Sequence, residues 1–127
     1  MFEVVRQGER VSGLAPGVDR RHLARLRAGR VEIDRDLDLH GLDAPSARED
    51  VTFELRDAYA EGERCVRIVH GRGLRSPGGP VLKEAVLAWL QAPPLANLVL
   101  AFETAPPEHG GAGALLVLLR RRRPQGK

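Results

Sequence analysis

Three short segments of this 127-residue chain hold residue types suited to proton transfer and phosphate contact. Leu37-Asp38-Leu39-His40-Gly41 sets a carboxylate two residues before an imidazole. His70-Gly71-Arg72-Gly73 joins a second imidazole to a cation and two glycines, with Arg75 close behind. Gly110-Gly111-Ala112-Gly113 is a glycine run preceded by His109. Histidine exchanges a proton near neutral pH, so two of them can supply a base and an acid. Arginine matches the geometry of a phosphate. Glycine admits φ > 0 and close backbone approach, so its N–H can face an anion. The chemistry within reach is cleavage or binding of a phosphodiester. The candidate catalytic residues are Asp38, His40 and His70. The candidate nucleic-acid contacts are Gly71, Arg72, Gly73, Arg75, Gly110, Gly111, Gly113 and the run Arg120, Arg121, Arg122 and Arg123.

The elements around these segments decide whether they can meet. Leu37 to His40 alternates like a strand. Asp43 is a suitable N-cap for a helix over Ala44 to Ala60, whose apolar stripe is Ala47, Val51, Leu55, Ala58 and Tyr59, with Gly62 as its stop. Cys65 to Val69 reads as a second strand. After a polar loop, Pro80 suits the first turn of a helix running to about Gln91 with Leu82, Val86, Trp89 and Leu90 on its inner stripe. Trp89 is expected in the core. Leu98 to Glu103 and Ala114 to Leu119 are the third and fourth strands. Residues 1–36 read as an N-terminal extension with a short helix from Asp19 to Arg27, and Val31 and Ile33 alternate with charges as a short strand would.

The order from residue 37 to 119 is βαβαββ, which predicts a two-layer α/β sandwich with a four-stranded mixed sheet. Right-handed crossovers make the first three strands parallel, so their carboxyl ends share one edge, where such folds bind ligands. His40 ends the first strand, His70 ends the second, and the glycine run leaves the third. Neighbouring strands lie about 4.8 Å apart, so two such histidines could serve one phosphate. By strand parity Asp38 and His40 share the face opposite Leu37 and Leu39, where Asp38 could orient His40 and favour its protonated form. The third and fourth strands are apolar on both faces, so the face away from the helices needs a cover, either the segment around Leu23 and Leu26 or a partner. Glu103 and His109 are expected as solvated residues.

Charge and composition narrow the classes. The net charge is +3, but residues 37–119 carry 7 basic and 11 acidic groups, while residues 120–127 carry five basic ones. The basic excess therefore sits at the ends, and a uniformly basic DNA-binding domain is excluded. One cysteine, Cys65, rules out an internal disulfide and a zinc site built on two cysteines of one chain. The loop Gly73 to Gly79 has glycine where a phosphate-loop lysine belongs, so it is no ATP site. The candidate edge offers only Asp38 and Glu103 as carboxylates, too few for a two-metal nuclease, so no cofactor or metal is called for. No apolar run is long enough to span a membrane and no signal peptide is visible, which points to a cytoplasmic protein.

In order and spacing, the three segments resemble the signature of the Smr (small MutS-related) domain family. Pro80-Val81-Leu82-Lys83, Trp89-Leu90 and Ala101-Phe102-Glu103-Thr104-Ala105-Pro106 fit as well, so the resemblance covers about residues 30–122. Gly17 to Arg35 also looks like the lead-in of stand-alone bacterial members. The resemblance implies a fold similar to the C-terminal domain of translation initiation factor 3. It also implies endonuclease activity on RNA or DNA, in some members on mRNA at stalled ribosomes, with nucleic acid and the ribosome as partners. The family's Asp-x-His falls on Asp38 and His40, and its HGxG on His70 to Gly73. RNA would supply its own 2′-OH nucleophile; on DNA a water, held on a divalent metal, would be required. The alternative reading is a non-catalytic nucleic-acid-binding module, which needs the glycines and arginines but neither histidine. A protein-interaction adaptor is a third reading.

Overall fold

The computed structural model describes residues 1–72 and 81–123. The first strands, β1 (Glu3–Gln7) and β2 (Arg10–Leu14), form an antiparallel hairpin. Its two-residue turn places Gly8 at φ +61°, a conformation that suits the first position of a tight hairpin turn. Helix α1 (Arg21–Arg27) follows, then β3 (Arg35–Asp38) and α2 (Ala44–Ala60). Asp43 caps α2 by accepting the Ser46 N–H at 2.8 Å, and this bond lowers the Asp43 carboxyl pKa. Next come β4 (Cys65–Val69), α3 (Val81–Leu90), β5 (Val99–Thr104) and β6 (Ala114–Leu119), with two short 3-10 turns, Pro107–His109 and Gly111–Gly113, before β6.

The strands make one sheet in the order β1-β2-β5-β6-β4-β3. The pair β3–β4 is parallel, and β6 runs antiparallel to both of its neighbours. The sheet therefore has six strands, which corrects the expected four. The two extra strands come from residues 1–36, where only a helix and a short strand at Val31–Ile33 were expected. Val31 and Ile33 are not in a strand; they pack as part-buried apolar residues on one side of the sheet. β5 points the same way as β3 and β4, as the crossover argument requires, but β6 lies between it and β4.

Two cores lie on opposite faces. Leu37, Leu39, Val66, Ile68, Phe102, Leu115 and Val117 pack beneath α2 and α3. Leu14, Cys65, Ala101, Leu116 and Leu118 pack with Leu26 of α1. The expected two-layer sandwich thus carries a third, smaller layer. Its cause is the doubly apolar sequence of β6, all six residues of which are buried; Leu26, fully buried, is the cover. Burial also raises the Cys65 thiol to about 12, so it is no nucleophile at neutral pH.

Candidate functional site

Sheet register brings the three segments to one edge. Asp38 pairs with Val69, and the Leu39 N–H donates to the Val69 carbonyl at 3.0 Å, so the adjacent parallel strands that lead into His40 and His70 end at the same edge. Val69 pairs in turn with Ala114, which puts Gly113 beside His70. The Gly113 carbonyl accepts two N–H groups, from His70 and from Gly71, each at 3.0 Å. Gly71 sits at φ +78°, as this turn demands. A Cβ on Gly113 would lie 3.6 Å from Arg72 Cγ and 3.7 Å from Gly71 Cα, so a small residue there lets the two loops close on each other.

Three of the glycines donate their N–H groups to the protein's own backbone. The Gly71 N–H bonds Gly113, the Gly110 N–H bonds the Pro107 carbonyl at 3.3 Å, and the Gly111 N–H bonds the Pro106 carbonyl at 3.1 Å. The three N–H groups expected to face a phosphate are here engaged in closing the loops. Gly73 and Arg75 lie outside the described residues, as does Pro80.

The two histidines differ. His40 is exposed, just past the end of β3. Its backbone N–H donates to Asp38 Oδ1 at 2.9 Å, so Asp38 shapes the turn that presents His40, and its bond goes to the backbone, not to the imidazole. Leu37 and Leu39 face the core under α2 and α3, which leaves Asp38 exposed on the other side. His70 continues the side of Ile68 and is 8% exposed. Its Nδ1 lies 2.6 Å from the Gly71 carbonyl. A carbonyl only accepts, so Nδ1 carries the proton and Nε2 keeps its lone pair. Nε2 is enclosed and has no hydrogen-bond partner among the described residues. Burial pushes the His70 pKa below its ordinary value; the Gly71 bond works against that, while nearby Lys83 adds to it and Glu84 opposes it.

Those two neighbours belong to a set of residues that the sequence did not reveal. The hairpin turn reaches across the edge to Arg72 and α3. Glu9 receives Arg72 Nη2 at 2.7 and 2.9 Å and Arg72 Nε at 3.3 Å. Lys83 Nζ donates to the Glu9 carbonyl, and Arg6 forks onto Glu84 at 2.9 and 3.0 Å. The signal that could have found them is the valine-rich run up to Gln7 followed by Gly8-Glu9, a hairpin turn in waiting. Because Glu9 holds the guanidinium that a phosphate would take, Glu9→Gln is expected to tighten nucleic-acid binding by roughly two- to five-fold, the worth of an exposed ion pair. A titration in which Glu9→Gln binds no tighter than the parent would remove Glu9 as a competitor.

Glu103 corrects another expectation. It is buried, not solvated, and accepts from Arg10 Nη2 at 3.2 Å and from Arg27 at 3.1 and 3.3 Å. His109 is half-buried and its carbonyl accepts from Arg67 at 3.4 Å. Trp89 is only part-buried, at the rim of a groove between α2 and α3 that Phe53 also lines. Arg120 to Arg123 follow β6 at the opposite edge of the sheet. Among the described residues no three His, Cys, Asp or Glu side chains group as metal donors.

Comparison with known proteins agrees with this arrangement. The Smr domain family matches residues 37–120. The ribosome rescue factor SmrB of Yersinia enterocolitica is 38% identical over 104 residues, 82% of this chain and 54% of that protein. SmrB of Aliivibrio salmonicida is 37% identical over 103 residues, covering 81% and 54%. The chain thus spans about half the length of these relatives. Among solved structures, YdaL, a stand-alone small MutS-related protein from Escherichia coli, superposes with a TM-score of 0.75 at 29% identity, covering 94% of this chain and 88% of that one. The Smr domain of Thermus thermophilus MutS2 gives 0.58 at 32% identity, over 68% and 98%. With the family matched across most of its length and its three motif segments gathered at one sheet edge, this chain belongs to the Smr domain family.

Proposed function

We propose that the chain is an endonuclease that cuts RNA by histidine acid–base chemistry and works on mRNA at stalled ribosomes, in the cytoplasm. The observation that carries the reading is the His70 tautomer. The Gly71 carbonyl fixes the proton on Nδ1, and the lone pair on Nε2 is that of a base, one strand away from an exposed second histidine. The ribosome rescue factors among its relatives support the substrate class. In the proposed step His70 Nε2 takes the proton of a ribose 2′-OH. The 2′-oxygen attacks the neighbouring phosphorus, the bond to the 5′-oxygen breaks, and His40 protonates that leaving oxygen. The products are a 2′,3′-cyclic phosphate and a 5′-hydroxyl. Arg72, released from Glu9, would neutralise the phosphate charge. On this reading the catalytic unit is residues 37–119, with residues 1–36 supplying the hairpin that reaches Arg72 and residues 120–127 a basic tail.

A cleavage assay on matched RNA and DNA, with and without EDTA, tests it. RNA should be cut in EDTA, with cyclic phosphate ends. Cutting of DNA alone, and only with a divalent metal, would overturn the mechanism. A non-catalytic binding role is favoured by one observation, the enclosure of His70 Nε2; binding of RNA without any cutting would establish it.

Asp38 separates two roles within this scheme. If it only holds the His40 turn, Asp38→Asn keeps an acceptor oxygen for the His40 N–H and should cost less than about tenfold in rate, the worth of one hydrogen bond. Loss of all activity in Asp38→Asn, measured as single-turnover cleavage, would make the carboxylate charge itself essential.

A further inference from the structure

Many of the arginines are already engaged in ion pairs. Arg6, Arg10, Arg20, Arg21, Arg27, Arg35, Arg67 and Arg72 all pair with carboxylates. Among the described residues Arg25, Arg30, Arg48, Arg56, Arg64, Arg120, Arg121, Arg122 and Arg123 enter no ion pair, and Arg64 and Arg120 to Arg123 stand together at the edge of the sheet opposite the histidines. The backbone at this edge and two of its side chains are held in place. The Arg120 N–H donates to the Leu98 carbonyl at 2.8 Å. Arg122 Nη1 donates to the Ala60 carbonyl at 2.9 Å, and the Arg123 N–H donates to the Tyr59 hydroxyl at 3.3 Å. Arg64 Nε is fixed on the Leu119 carbonyl at 2.9 Å.

The same edge contains a groove of about 700 Å³ whose lining includes Tyr59, Gln91, Asn97, Arg120, Arg121 and Arg123, and no carboxylate among the described residues. Three cations, two amides and a tyrosine are a combination that recognises a sugar-phosphate backbone and the edges of unpaired bases. The positive surface continues past the groove. The charges of Arg121 and Arg25 bear on Arg64 strongly enough to help burial lower its pKa, with Asp34 as the opposing charge, so an anion seated there would relieve the crowding.

We propose that this groove is a second nucleic-acid site, which takes the backbone of a single strand at the edge of the sheet opposite the histidines. The inference rests on nucleic acid being the ligand, but not on its being cut. Arg64 and His70 flank β4, six residues apart, so the two sites are separated by roughly 20 Å along the strand direction. At 3.4 Å per stacked nucleotide that is about six steps, and a strand longer than this can hold both. The groove would then supply affinity that the acidic body of residues 37–119 cannot.

Fluorescence anisotropy with labelled single-stranded RNA of about 25 nucleotides, titrated at several salt concentrations, tests the proposal. Each phosphate contact contributes about 0.7 to the salt slope of a single strand, so the double variant R121Q/R123Q should lose about 1.4 from the slope. With binding at 1 M salt unchanged, that is roughly 25-fold weaker binding at 0.1 M. R121K/R123K keeps the charges and should keep the slope. Both arginines are exposed, and an unchanged melting temperature verifies that the fold is intact. If the parent binds RNA and R121Q/R123Q binds with the same slope, the groove is not a nucleic-acid site. If polyglutamate competes as well as RNA at equal charge, the groove takes acidic polymers at large and the proposal is likewise overturned. If the parent binds no RNA or DNA at all, the nucleic-acid reading of the whole protein falls with it.

Discussion

His40→Ala and His70→Gln should each lower single-turnover RNA cleavage by about 10²-fold or more, the usual loss when a general acid or base is removed, while RNA binding largely survives. A 10²-fold loss corresponds to about 2.7 kcal/mol of transition-state stabilisation. His40 is exposed, so its removal leaves the packing intact. His70 is buried, and glutamine is the informative replacement because its amide can still donate to the Gly71 carbonyl while lacking a basic nitrogen. Cleavage by both variants at the parental rate would end the acid–base reading. The pH dependence is signed as well. Burial holds the His70 pKa below its ordinary value, so the base stays unprotonated to lower pH, and the acid limb of the rate profile should fall below about 6.5. Lys83→Met removes a neighbouring cation and should move that limb upward. The same shift links to stability. In acid the unfolded chain takes up the proton first, so the His70 contribution is intact above about 6.5 and is lost as pH falls through the folded value.

Phe102→Ala is expected to cost about 3–5 kcal/mol, read as a lower urea midpoint, because the ring is fully buried and fills a site that cannot collapse around alanine. The ring lies directly over Gly13, its cross-strand partner; a Cβ built on Gly13 would come within 2.1 Å of it. Phe2 stacks on it with ring centroids 5.9 Å apart. Strand β2 joins β5 through the pairs Ser12–Glu103, Gly13–Phe102 and Leu14–Ala101. The ring is the largest fully buried side chain in that contact. Gly13→Ala should also destabilise, by about 1–3 kcal/mol, since the ring must leave its place to admit a methyl group. Both variants should loosen the Glu9–Arg72 contact, so their RNA affinity reports on the hairpin independently of stability. A Gly13→Ala protein with the parental urea midpoint would show that the ring has room to move.

The elements that carry the candidate site were legible because each is governed by local rules. Leu37 to Leu39 alternates, Asp43 caps the next helix, and two crossovers force the motif-bearing ends to one edge. The cover over the second face was legible from composition, since a doubly apolar β6 had to be matched by something like Leu26. The hairpin was not, because Ser12 and Gly13 interrupt its pattern and what makes Gly13 acceptable, the Phe102 ring, lies 89 residues away in sequence. Glu103 was misread for the same reason. Its partners Arg10 and Arg27 are 93 and 76 residues distant, and no local pattern reports a contact of that kind. The direction of the His70 ring and the use of the glycine N–H groups follow from packing between loops, which spacing does not encode.

The sheet has two open borders, β1 and β3, and each leaves one row of backbone donors and acceptors without a neighbouring strand. Such a border invites a strand from another molecule. Here both are guarded. β3 presents Arg35, Asp36 and Asp38 in four residues, and β1 presents Glu3 and Arg6. A strand arriving at β3 would have to disturb the Arg67–Asp36 pair and desolvate Asp38, and one arriving at β1 would have to disturb the Arg20–Glu3 and Arg6–Glu84 pairs. The charges that frame the candidate site thus also disfavour growth of the sheet into a second copy when many molecules crowd on one polyanion.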